Sequence, residues 1–102
     1  MTTPGIYIMA NSSHSTLYIG ASSLLPARVQ MHIDREGSKF TTKYRCTKLV
    51  YYEICESVTA AYLREKELKA WSRMKKSALI GSVNPAWNDL TGALQRDLEN
   101  LF

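Results

Sequence analysis

The chain has 102 residues, 45% of them hydrophobic, enough for one small domain with a modest core and too apolar for a disordered segment. Lys and Arg number 13 against 9 Asp and Glu, a net charge of +4, which favours an anionic partner. No apolar run could span a bilayer, and Met1-Thr2-Thr3-Pro4 has no basic leader ahead of an apolar segment, so no membrane role or secretory signal is expected and a cytoplasmic location is.

Residues 5–10 and 16–22, rich in Ile and Tyr, predict two strands, and Asn11-Ser12-Ser13-His14-Ser15 predicts the turn of an antiparallel hairpin between them. Ser22 or Ser23 can cap the helix that follows. Pro26 suits its first turn, and Leu25, Val29, His32 and Ile33 share one side as far as about Arg35. Glu36-Gly37-Ser38 ends this helix, and the polar, basic stretch up to Cys46 reads as a loop. The run from Leu49 to Cys55 has the β-branched and aromatic content of a strand at the centre of a small sheet. Ser57 caps a second helix from Val58 to about Trp71, and a third runs from Ser72 to Gly81, ahead of Asn84-Pro85. Leu94, Leu98 and Leu101 have the spacing of a last helix packed on the body. The order β-β-α-β-α-α predicts an α+β fold, a small three-stranded antiparallel sheet flanked by helices. One domain is expected over 1–102, with a core over 1–90 and a C-terminal helical extension over 91–102. Cys46 and Cys55 lack CxxC spacing and zinc-type partners, so they read as reduced thiols.

Several residues carry more than packing requires. Tyr7 and Tyr18 lie on adjacent predicted strands, where they are either core aromatics or a pair with both hydroxyls at one sheet edge. A phenol is a poor base at neutral pH unless a cation lowers its pKa. Arg28 is a candidate for that cation, with a side chain lying along the helix rim as its alternative. His32, one turn further, is either a satisfied core histidine or part of a site. On the second helix, a stripe centred on Ala61 includes Glu65 and Leu68, with Val58, Tyr62 and Trp71 at its borders and Glu67 on the polar face. An inward carboxylate must be paired or bound to a cation, so Glu65 either pairs with Lys69 or an arginine, or holds a metal ion. Basic residues gather at Lys39, Lys43, Arg45 and Lys48, and again at Lys66, Lys69, Arg73, Lys75 and Lys76. Each could be an ordinary solvated lysine or arginine, but the collection suits phosphate contacts.

Gly5-Ile6-Tyr7 followed by Tyr18-Ile19-Gly20 resembles the hallmark of the GIY-YIG nuclease family. Arg28 and His32 match the arginine and histidine after the second motif, Glu65 matches the single acidic metal ligand, and Asn88 looks like the late asparagine, a role for which Asn84 competes. The run Arg64 to Arg73 together with Asn84-Pro85-Ala86-Trp87 is similar to small stand-alone bacterial-type members, some of which act on single-stranded DNA. One departure is Ala21, where repair-type members carry a lysine, so Lys43 or Arg45 would have to replace that charge.

The resemblance implies a metal-dependent endonuclease that hydrolyses phosphodiester bonds in single-stranded or branched DNA. Its catalytic set would be Tyr7, Tyr18, Arg28, His32, Glu65 and Asn88. Glu65 would hold Mg²⁺ or Mn²⁺, Tyr18 or Tyr7 would orient or deprotonate the attacking water, and Arg28 would lower the phenol pKa. His32 would assist proton transfer or contact phosphate. Lys43, Arg45, Lys48, Lys69, Arg73, Lys75 and Lys76 would guide the DNA backbone. Two other readings use the same residues differently: a non-catalytic nucleic-acid-binding module with this fold, and a protein-interaction domain with an incidental basic surface. No homo-oligomer is indicated, although Leu94, Leu98 and Leu101 could serve one.

Overall fold

Six consecutive buried residues, Gly5–Ala10, form β1, the central strand of the sheet. The computed structural model describes residues 2–34 and 39–101. β1 pairs antiparallel with β2 (Leu17–Ser22) on one side and β3 (Lys48–Ile54) on the other. The helices are α1 (Leu25–Ile33), α2 (Lys39–Tyr44), α3 (Val58–Lys69), α4 (Arg73–Val83) and α5 (Thr91–Glu99). This is the predicted α+β fold with a three-stranded antiparallel sheet, plus one helix, α2, in the stretch expected to be a loop. The expected end of the first helix near Arg35 and its stop at Glu36-Gly37-Ser38 lie outside the described residues.

The sheet is covered on both faces, which explains why β1 is apolar throughout instead of alternating. Ile6 and Ile8 pack with Ile19, Tyr51, Ala61, Leu68 and Ile80 beneath α3 and α4. Tyr7 and Met9 pack on the other side with Leu25, Val29, Leu94 and Leu98, beneath α1 and α5. The run at 49–55, predicted as the central strand, is an edge. Its apolar content reflects two covered faces and not two strand neighbours. The register slips between Ile8 and Met9, which pair with Tyr51 and Leu49 and leave Val50 as a bulge. The Val50 carbonyl accepts from Asn84 Nδ2 at 3.0 Å, and Leu90 donates to the Leu49 carbonyl at 2.8 Å. The loop after α4 thus satisfies part of the β3 edge.

Ser57 caps α3 as predicted, and Ser72, expected to be the first residue of its helix, is the cap of α4. Ser57 accepts from Ala60 N and Ser72 from Lys75 N, each satisfying a first-turn amide. α1 has no side-chain cap. Ser22 instead accepts from Leu24 N at 2.9 Å, and Pro26 occupies the first turn. α4 continues through Gly81 to Val83 because nothing there requires a stop, and the space around Gly81 is open. Leu94 and Leu98 are buried as predicted, whereas Leu101 lies beyond α5 and is exposed. No helix among the described residues is long and apolar enough to cross a membrane.

Candidate active site

The two motif glycines are explained by what surrounds them. Tyr7 on β1 sits directly opposite Gly20 on β2. A Cβ at Gly20 would lie 2.3 Å from the Tyr7 hydroxyl and 2.4 Å from its Cζ. The absent side chain lets the phenol cross the edge strand. At Gly5 a Cβ would meet the Glu53 carbonyl oxygen at 2.4 Å and Leu25 Cδ2 at 2.8 Å. Glycine there allows β3 and α1 to close on the strand that carries Tyr7.

α1 supplies the partners. Its buried stripe, Leu25, Val29 and His32, lies against the sheet face of Tyr7. His32 is fully buried, with Nε2 2.8 Å from the Tyr7 hydroxyl. Its ring lies 5.1 Å from both the Tyr7 and Tyr18 rings, which are 6.3 Å apart. The Arg28 guanidinium, one turn earlier, hydrogen-bonds to both tyrosine hydroxyls. Arginine has no acceptor, so the Tyr7 oxygen accepts from Arg28, and the imidazole tautomer sets which of Tyr7 and His32 donates in the bond between them.

Burial dominates the electrostatics of the Tyr7–His32 pair. Burial pushes the Tyr7 phenol up to about 12, against the opposing pull of Arg28. Tyr7 is therefore a firmly protonated phenol and not a ready base. Burial, then the charge of Arg28, holds His32 down at about 4, so its imidazole is neutral at pH 7. A fully buried His32 is also out of reach for the phosphate contact expected of it.

A stability prediction follows from this histidine. Its pKa is 6.5 when free and about 4 in the fold, so the unfolded chain binds the extra proton between those values. The contribution is complete above pH 6.5 and is lost as pH falls toward 4, by up to about 3 kcal/mol. For Glu53, burial acts to raise the pKa, but bonds from Arg64 and Tyr51 outweigh it and hold the carboxyl low. Its contribution is lost only below about 4.5, its ordinary value. Denaturant midpoints measured from pH 7 to pH 4 should therefore fall early in wild type, and the pH 6.5–4.5 slope should flatten in His32→Gln.

α3 brings the carboxylate. Ala61 and Leu68 are fully buried, and Glu65 between them is only partly exposed, at 22% of its side chain. Its charge acts to raise the Tyr7 pKa, which puts it within electrostatic reach of the phenol. Lys69 pairs with it loosely, at 3.6 Å. Glu67 faces out and pairs with Arg64, whereas Tyr62, expected at the stripe border, is exposed. Tyr7, Tyr18, Arg28 and His32 thus cluster beside β2, and Glu65 on α3 lies within electrostatic reach of Tyr7.

The remaining predicted residues scatter. Asn88 stands apart from this cluster. Its main chain is tied on both sides to the Asn84 side chain beside β3, across the sheet from β2. Asn84 is buried and occupied with the Val50 bulge. Lys69 and Lys76 line an open groove with Tyr18. Lys48 bonds His14 Nε2 at 2.9 Å, and Arg73 grips the carbonyls of His14 and Ser15 in the hairpin turn. Lys75 sits over the Trp71 ring at 4.1 Å and Lys43 over Tyr44 at 5.3 Å. Arg45, exposed, follows α2 with a left-handed backbone, φ 56°. The feature missed from sequence is α2 itself, where Phe40 touches Tyr18 with ring centroids 5.9 Å apart. Its signal was the aromatic pair Phe40 and Tyr44, spaced four apart as on a helix face.

A glycine-braced tyrosine pair on a three-stranded antiparallel sheet, with a partly buried acid on α3, fits a small nuclease-type domain. The family model described as the GIY-YIG catalytic domain matches residues 3–77, and the chain belongs to the GIY-YIG family. It is also 39% identical over 75 residues to the UPF0213 proteins of Staphylococcus aureus strains Mu50 / ATCC 700699, N315 and COL, spanning 74% of this chain and 90% of each relative. No solved structure matches the chain. The family match includes Tyr7, Tyr18, Arg28, His32 and Glu65 and ends before α5, although Leu94 and Leu98 pack in the same cluster as Tyr7.

Proposed function

We propose that the chain is a metal-dependent endonuclease that hydrolyses phosphodiester bonds in single-stranded or branched DNA. The observation that carries this reading is the cluster of Tyr7, Tyr18, Arg28 and His32 beside β2, within electrostatic reach of Glu65 and next to the lysine-lined groove.

The donor set fits a hydrated divalent ion. Among the described residues no three His, Cys, Asp or Glu side chains form a metal cluster. One partly exposed carboxylate with a loose lysine partner suits Mg²⁺ or Mn²⁺ that keeps most of its waters, and not a closed zinc cage. Glu65 would hold the ion, which supplies charge stabilisation at the leaving oxygen when bound.

The protein groups divide by access. Tyr18 borders the open groove, whereas Tyr7 is only 1% exposed. Tyr18 is therefore the phenol that meets the attacking water and takes its proton. The Arg28 charge would stabilise the phosphoryl oxygens as negative charge builds on them. Tyr7 and His32 are positioning residues: the buried, neutral pair fixes Arg28 between the two phenols. Lys69 and Lys76 would take flanking phosphates, with Lys43, Arg45, Lys48, Arg73 and Lys75 adding a wider basic field.

A cleavage screen tests this reading. Single-stranded, duplex and branched DNA, and RNA, are incubated with the full chain and Mg²⁺, Mn²⁺ or a chelator. Cuts in single-stranded or branched DNA with either ion, and none with chelator, are expected. Salt-sensitive binding without a cut in any substrate would identify the non-catalytic module instead.

A further inference from the structure

α2 exposes two aromatic side chains that the fold does not use. Phe40 is 43% exposed and Tyr44 41% exposed, and neither belongs to the two apolar clusters. They form a ladder that continues from the site. Tyr18 meets Phe40 at 5.9 Å between ring centroids, and Phe40 meets Tyr44 at 4.7 Å. Lys43 extends over the outer ring. Beside the ladder lies an open groove of about 290 Å³, floored by Leu17 and Ile19, walled by Tyr18 and Phe40, and edged by Lys69 and Lys76. Lys69 is the ion-pair partner of Glu65, so the groove opens beside that carboxylate.

The lining selects a ligand class. It has an apolar floor, two aromatic walls and two ammonium groups, and it includes no carboxylate. A flat, π-rich body attached to an anion fits both halves. Its volume is at the small end for ligand sites, roughly 300–1,000 Å³, which suits one ring system. In a duplex, base faces are already covered by their neighbours, so only an unpaired base can offer one.

We propose that this groove is a nucleobase subsite: an unpaired base of a single strand stacks on Phe40 beside Tyr18, and Lys69 and Lys76 hold its flanking phosphates. Tyr44 is the platform for the next base along the strand. The inference rests on the nuclease reading for one point, that the phosphate beside this base is the one presented to Tyr18 and Glu65. The subsite makes strand state, and not base sequence, the property that the chain selects.

The test is a binding titration on the full chain, with chelator present so that no strand is cut. The probes are a fluorescent oligothymidylate, the same oligomer with abasic positions, an oligouridylate and a duplex. Phe40→Ala should weaken oligothymidylate binding by roughly tenfold or more, and leave duplex binding within about twofold. Phe40→Trp should restore the affinity, and Phe40→Leu, which keeps apolar bulk without a π-face, should not. The abasic oligomer should bind weakly and be insensitive to Phe40→Ala. The oligouridylate should show the same dependence on Phe40.

Unchanged oligothymidylate affinity in Phe40→Ala, wild-type affinity in Phe40→Leu, or equal sensitivity in the abasic oligomer would overturn the subsite. The two proposals fail separately. Strand cleavage that is indifferent to Phe40 leaves the nuclease and removes the subsite. Phe40-dependent binding without any cleavage leaves the subsite and removes the nuclease.

Discussion

Arg28→Ala is expected to slow phosphodiester cleavage by about 10²- to 10³-fold, the loss typical of removing one charged or hydrogen-bonding stabiliser of a transition state. Arg28 is the one cation of the cluster that bonds both phenols. On the proposed mechanism its loss removes the donor pair that would stabilise the phosphoryl oxygens. The fold should survive, because Tyr7 keeps its bond to His32 and the side chain is not fully buried, so a cost of about 1–2 kcal/mol is expected. Arg28→Lys keeps the charge but loses the planar fork, and should recover only part of the rate. Single-turnover cleavage with a parallel melting curve separates the two effects. A rate within threefold of wild type in folded Arg28→Ala would remove Arg28 from the site.

Gly20→Ala is expected to cost about 1–3 kcal/mol, the range for forcing atoms into a packed interior, and to lose most of the activity with it. The new methyl would occupy the place of the Tyr7 hydroxyl. The ring would have to swing away from His32 and Arg28, and its surroundings give it little room, since Tyr7 is buried between β2 and the α1–α5 layer. Gly81→Ala is the control. That glycine lies inside α4 with open space around it, so alanine should stabilise by about 0.5–1 kcal/mol. Denaturant midpoints of the two variants should therefore move in opposite directions. A Gly20→Ala protein with wild-type midpoint and activity would mean that the glycine is not what seats Tyr7.

Much of the fold is legible in the chain because its signals are local. Ser57 and Ser72 cap where their side chains can reach an amide, and Leu94 and Leu98 repeat at one helical turn. Glu65 is legible for a similar reason: helical geometry alone places it between Ala61 and Leu68, and its partial burial and its pairing with Lys69 both follow. What is not legible depends on distant partners. The rank of β1 as the central strand is obscured by β3, whose run Leu49 to Tyr52 is as rich in β-branched and aromatic residues, although only β1 is buried along its whole length. The bulge at Val50 and the demand it makes on Asn84 join residues 34 positions apart. The protonation of Tyr7 is of the same kind. The sequence places a cation one helix away, but only the packed core shows that burial outweighs it. α2 is hard to read because it is short, polar and basic, and the Phe40 and Tyr44 spacing is its one helical signal.

The role of Glu65 bears most directly on whether the cluster is a catalytic centre. The decisive measurement compares wild type and Glu65→Gln for single-stranded DNA cleavage in Mn²⁺, alongside the shift in melting temperature that Mn²⁺ produces in each. Glutamine keeps the size and loses the charge, and a partly exposed carboxylate with a loose lysine partner contributes little to stability by itself. The wild type should cut and should melt higher with the ion. Glu65→Gln should melt like the metal-free wild type, show no shift with Mn²⁺, and cut at least about 10²-fold more slowly. Wild-type cleavage and a wild-type Mn²⁺ shift in Glu65→Gln would contradict the site.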